Sequence, residues 1–71
     1  MNRQTLRQWL DRQPFEPFFI MLSSGESYEV RHPANAILLK TRLLLGFPET
    51  DSAAHVGLLH INSVKPINQV A

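Results

Sequence analysis

Apolar positions recur along this chain at two spacings. Leu6, Trp9 and Leu10 fall at i, i+3 and i+4, so they share one face of a helix. Arg3, Arg7, Asp11 and Arg12 lie largely elsewhere, on the wet side. This predicts a helix over about residues 3–12. Its start is set either by Asn2 as cap or by Thr5 with Gln8 as a capping box. Pro14 ends it, because proline lacks an N–H and pushes its predecessor out of the helical region. Trp9 is expected to dock the helix on a sheet; a role as a stacking platform for a base is the less favoured reading.

From Phe18 the spacing becomes two. Phe18, Ile20 and Leu22 alternate along one arm, and Tyr28 and Val30 along the next. Ser24-Gly25 between them supplies a tight turn, since glycine reaches positive φ without steric cost. A lone hairpin is marginal in water, so the rest of the chain must complete the core. Pro14-Phe15-Glu16-Pro17 reads as a stiff corner into the first strand. The same residues have PxxP spacing, but a peptide-ligand role is less favoured than a rigid connector.

Beyond the hairpin, His32-Pro33 marks a strand end and Asn35 closes a turn. Ala36 to Leu39 is apolar at every position, as in a strand buried on both sides. Lys40-Thr41-Arg42 then interrupts, and Leu43 to Phe47 resumes. A turn between two strands is favoured over one long bent strand, because strands seldom exceed about 10 residues. A leucine-rich helix is the third reading of that segment. Residues 48–53 are expected to form a loop. Ala54 to Leu59 reads as a strand with a bulge or bend at Gly57. His60-Ile61-Asn62 is expected to turn, and Ser63-Val64-Lys65 to form a last strand stopped by Pro66. Residues 67–71 are expected to fray.

The sum is one domain of 71 residues, mainly β with one N-terminal helix. Five to six short antiparallel strands over about residues 17–66 must curl into a strongly bent barrel of SH3-like or Sm-like kind, with the helix over an open end. Hydrophobic content of 44% argues against disorder. The absence of cysteine removes disulfides and thiolate metal sites and fits a reducing cytoplasm. A net charge of +1 announces no nucleic-acid surface. No apolar run approaches the roughly 18 residues that span a bilayer, so no membrane partner is expected.

The element order resembles the Sm-like fold of bacterial Hfq-type RNA chaperones. The residues that carry it are the helix ending in Leu10-Asp11-Arg12, the hairpin at Ser24-Gly25, Ile37-Leu38-Leu39-Lys40 and the closing His60-Ile61-Asn62-Ser63-Val64-Lys65-Pro66. The last stretch is similar to the His-x-x-Ser-x-Val-x-Pro ending of that family. The family's glycine at the hardest bend is replaced here by Tyr28-Glu29-Val30, and its arginine-rich helix edge is reduced to Arg12 and Arg7. The corner at Pro14 to Phe18, with Gly25, Tyr28-Glu29-Val30 and His32-Pro33, also resembles a group of short uncharacterised bacterial proteins, which implies no activity. The Sm-like resemblance implies a ring that binds single-stranded RNA.

Chemistry is sparse. The three glycines are scattered and cradle no phosphate. Ser63 follows His60 by three, with no third group to orient a nucleophile. His32, His55 and His60 would hold a metal only if they converged, and two exposed histidines with one in a turn is the favoured reading. Lys40, Arg42 and His60 gather into a basic spot on one rim, to which Arg12 is added as a contact for RNA or a partner. The expectation is a non-enzymatic interaction module that self-associates or docks on a protein, with no cofactor and no small-molecule substrate. The alternative is the Sm-like RNA-binding ring.

Overall fold

The computed structural model describes residues 1–67. It is mainly β with one N-terminal helix and six antiparallel strands in two three-stranded sheets. Helix α1 spans Arg3–Leu10. The strands are β1 Phe18–Leu22, β2 Ser27–Val30, β3 Ala36–Leu38, β4 Arg42–Phe47, β5 Ser52–Gly57 and β6 Ile61–Pro66. The first sheet has the order β2-β1-β6 and the second β3-β4-β5. No strand ladder joins the sheets among the described residues, so they do not close a hydrogen-bonded barrel.

α1 starts where Asn2 caps it. The Asn2 side chain accepts a hydrogen bond from the Thr5 N–H at 3.1 Å, which decides against the Thr5–Gln8 box. The helix ends two residues short of the expected Arg12. The Asp11 N–H donates to the Arg7 carbonyl at 2.9 Å, and the chain leaves the helix well before Pro14. Leu6 and Leu10 are buried and Trp9 is half-buried, as the spacing requires. The Trp9 ring meets Phe18 at 5.4 Å, and Phe15 reaches the same ring at 5.9 Å, so the corner and the helix converge on the first residue of β1. The Gln13–Pro14 peptide is cis.

The hairpin forms, with Phe18 opposite Val30 and Ile20 opposite Tyr28, so the two apolar sets share one face. Gly25 sits in its turn at φ 93°, a conformation that a Cβ would strain. A 3-10 turn, Pro33–Asn35, follows. Residues 36–47 form two strands with a turn between them, Leu39 N–H donating to the Arg42 carbonyl at 2.8 Å. β3 is not buried on both sides. Leu38 points into the core with Ala36 packed against it, while Ile37 is 57% exposed on the outer face.

Three other boundaries move. The polar loop is shorter than expected, and β5 begins at Ser52 and ends at Gly57. A 3-10 turn, Leu58–His60, replaces the expected turn at residues 60–62, so β6 starts at Ile61. The irregularity expected at Gly57 lies instead in β6. Met21 pairs with Ser63 and Leu22 with Ile61, which leaves Asn62 as the extra residue of a bulge. Pro66 does not stop the ladder before it but ends it, opposite Phe18. Proline is tolerated there because β6 is an edge strand. Ile67 is tied back by its N–H to the Pro17 carbonyl at 3.1 Å, so fraying does not begin there. The remainder of the expected frayed tail lies outside the described residues.

One core serves both sheets. Phe18, Ile20 and Val30 from the first sheet meet Leu38, Leu43, Leu45 and Val56 from the second, with Leu6 and Leu10 from the helix. α1 crosses the space between the sheets. Its C-terminal half rests on Phe18, while at its N-terminus Arg3 Nε donates to the Leu39 carbonyl at 3.1 Å. The Met1 ammonium group donates to the Leu58 carbonyl at 2.8 Å and to that of Ile61 at 3.3 Å.

Candidate functional site

That tether of the N-terminus builds a basic rim. Lys40 and Arg42 flank the β3–β4 turn, and His60 ends the 3-10 turn that follows β5. The Leu58 N–H donates to the Thr41 carbonyl at 2.9 Å, which holds the two turns side by side. Lys40, Arg42 and His60 therefore line one open depression of about 460 Å³, together with Met1 and Arg3. No carboxylate lines it. The ion pairs of the described residues use Arg7, Arg12 and Arg31, and none uses Arg3, Lys40 or Arg42. Like charges held this close, with water on one side, favour an anion over their own company.

His60 keeps its place through Gly57. A Cβ built on Gly57 would lie 3.1 Å from Cδ2 of the imidazole, so glycine gives the ring room to lie over the strand end. Leu59 beside it is 94% exposed. The rim thus pairs a set of cations with an apolar side chain standing in solvent.

Arg12 does not join the group. Its guanidinium lies over the Trp9 ring, 4.0 Å from the centroid, and 3.4 Å from a Glu16 carboxylate oxygen. Both partners are its own neighbours in sequence. Cation–π contact and ion pair hold it on the helix side, and its contribution is to close Trp9 against Phe18. Two rim members escaped the sequence reading. Helical spacing puts Arg3 on the wet side of the helix, and no pattern points to the Met1 ammonium. Both reach the rim through contacts across 36 and 57 residues, which no spacing rule detects.

The histidines do not converge. His32, His55 and His60 each line a different surface depression, and no three His, Cys, Asp or Glu side chains come together among the described residues. Ser63 lies in β6 opposite Met21, while His60 precedes that strand. His60 receives hydrogen bonds only through its backbone carbonyl, from the Ser23 N–H at 2.8 Å and the Ser23 hydroxyl at 3.0 Å.

A second surface lies on the outer face of β3-β4-β5. Ile37, Leu44 and His55 stand in one row across the three strands. Ile37 is 57% exposed and Leu39 44% exposed. No family model, curated protein or solved structure matches the chain. No helix among the described residues is long and apolar enough to cross a membrane.

Proposed function

We propose that the chain is a small non-enzymatic interaction module that associates with protein, either a second copy of itself or a partner. The observation that carries this reading is the large apolar side chains left in water: Ile37, Leu39 and Leu59 are 57%, 44% and 94% exposed. A chain of 71 residues has few such residues to spare from its core. Of these, Ile37 and Leu39 stand two residues apart on β3 and its turn, and adjoining apolar exposure on a small domain marks an interaction surface or an aggregation hazard. The two sheets are read as the halves of a bent barrel in SH3-like or Sm-like order, β2 and β3 being one strand broken at Pro33–Asn35. The reducing cytoplasm is its compartment in this reading, consistent with a cysteine-free chain.

Light scattering over a concentration series tests it. The expected result is a mass that rises with concentration. The same series on a chain carrying Ile37→Asp and Leu59→Asp should grow less. A wild-type mass fixed at the monomer up to millimolar concentration removes self-association.

The rim supports a second reading, an Sm-like assembly that binds single-stranded RNA. Arg3, Lys40, Arg42 and His60 meet at one depression with no carboxylate among them, which suits a phosphate backbone. A gel shift with uridine-rich or adenine-rich RNA should appear at low salt, fade at high salt and weaken with Lys40→Glu. Absence of a shift at low salt, where the phosphate attraction is greatest, rejects it.

A further inference from the structure

Resting on the interaction-module reading, we propose that β2 is the edge through which two copies of the chain pair, antiparallel and centred on Val30.

β2 is bonded on one side only. Its partner is β1, and no other strand pairs with it among the described residues. The backbone phase shows which groups face outward. Leu22 N–H donates to the Glu26 carbonyl at 2.8 Å, so Glu26 faces β1. Strand groups alternate, so Tyr28 and Val30 also face β1, and Ser27 and Glu29 turn their N–H and C=O groups away from it; Arg31, the residue just past the strand, is taken in the same phase as Glu29, whose carboxylate it meets on one face. Those groups border an open cleft of about 570 Å³, with Ser27 to His32 along one wall and Phe47 and Pro48 on the other. Unpaired strand edges of this kind template a further strand.

Charge selects the occupant and the register. Only Ser27, Glu29 and Arg31 can exchange hydrogen bonds across this edge, so a two-fold pairing is centred on residue 28, 29 or 30. Centring on Tyr28 sets Ser27 against Glu29 of the second copy, which gains nothing. Centring on Glu29 sets the two glutamates against each other, which repels. Centring on Val30 sets Glu29 of each copy against Arg31 of the other, twice over. Opposite charges directly across strands stabilise the pairing and like charges weaken it. Within one chain Arg31 Nε already lies 2.8 Å from the Glu29 carboxylate, so both side chains are held on the same face. The two-fold contact would place four charges in an alternating square. It also brings Tyr28 opposite His32 of the second copy. The 3-10 turn beginning at Pro33 stops the pairing, so the contact is short and closes as a dimer.

Three variants test the register. Glu29→Arg and Arg31→Glu each turn both cross-strand pairs repulsive, and each should dimerise about tenfold more weakly than wild type, read as the dissociation constant in sedimentation or light scattering. Mixed together, the two variants should recover a heterodimer near wild-type affinity, because every pair is again opposite in charge. Glu29→Pro removes an N–H that faces away from β1 and should abolish the pairing while the hairpin persists. Both sites are on the surface, and thermal melts check that each variant folds. A wild-type chain that is monomeric at millimolar concentration, single variants that dimerise as tightly as wild type, or a mixture that fails to recover each overturns the pairing. Association that survives the charge variants but is lost with Ile37→Asp and Leu59→Asp overturns the β2 contact alone and leaves the module reading standing.

Discussion

The two sheets share a core yet treat their outer faces differently. On the first, Phe19 stands between Glu29 and Lys65, and Met21 between Ser27 and Ser63. Each central apolar residue is flanked by polar neighbours, and both are only half-exposed. On the second, Leu44 stands between Ile37 and His55, and Ile37 is 57% exposed. The first sheet is finished as a solvent face. The second leaves a row in which apolar meets apolar at the surface. Long polar side chains can cover a neighbour's carbons with their own stems, whereas an edge isoleucine has nothing beside it to do so. The difference is the ground for testing the outer face of the second sheet as a contact surface separate from the β2 edge.

The comparison breaks if the sheets are separate units. Phe18 anchors the first sheet and Leu43 the second, and neither is exposed to solvent. Phe18→Ala should cost about 3–5 kcal/mol, because it leaves a cavity beneath Trp9 and Phe15. Leu43→Ala should cost about 2–5 kcal/mol. A single shared core requires one transition in urea for both variants, with the same slope as wild type. A variant that melts in two steps would show that each sheet has its own core. Domains of this size hold little stability in reserve, so the urea midpoints of both variants should fall far below that of wild type.

The hairpin turns sharpen the same contrast at smaller scale. The first sheet turns through Gly25 at φ 93°, the second through Asp51 at φ 53°. Nothing lies within 4 Å of a Cβ built on Gly25, so Gly25→Ala meets no steric wall and its cost is backbone strain alone. About 1 kcal/mol net is expected, the strain being partly offset by a stiffer unfolded chain. At Asp51 the exchange runs in reverse. Asp51→Gly relieves a left-handed residue but loosens the unfolded state, so stability should rise by no more than about 0.5 kcal/mol. Thermal melts of both variants read the two signs directly.

These elements were unequally legible. The helix face could be read because Leu6, Trp9 and Leu10 recur at helical spacing among polar residues, and the first hairpin because Tyr28 and Val30 alternate with Ser27, Glu29 and Arg31 just after the Ser24-Gly25 turn; β1 is apolar throughout and is placed by that partner. Ala36-Ile37-Leu38-Leu39 offers no such contrast. Every position is apolar, so the pattern cannot say which face is wet, and a strand buried on both sides was the natural expectation. Pairing decided it: Leu38 lies opposite Leu43 in the core, which turns Ile37 outward beside Leu44. Asn62 is likewise invisible as a bulge, since the extra residue is defined only against Met21 and Leu22 across the ladder. The rim was half legible. Lys40, Arg42 and His60 were found as turn residues between apolar runs, but Arg12 was added on sequence grounds that take no account of Trp9 as its nearer partner. Arg3 was missed because the return of the N-terminus to Leu39 and Leu58 is a tertiary event.

The smallest expected effect on stability tests the outer faces most directly. Ile37→Thr keeps a β-branched side chain, and hence the strand preference of β3, while replacing the ethyl arm by a hydroxyl. The residue is 57% exposed, so little buried area is lost and the change should stay within about 0.5 kcal/mol. Phe19→Thr is the control on the first sheet. It strips a half-buried ring from between Glu29 and Lys65 and should cost about 1 kcal/mol or more. The order should invert for assembly beyond the β2-paired dimer: light scattering at high concentration should show that further growth lost for Ile37→Thr and kept for Phe19→Thr. Ile37 would then be retained for what it touches outside the chain, and Phe19 for what it touches within it. If both variants associate like wild type, the exposed row on the second sheet is an ordinary surface and the contrast between the sheets has no functional meaning.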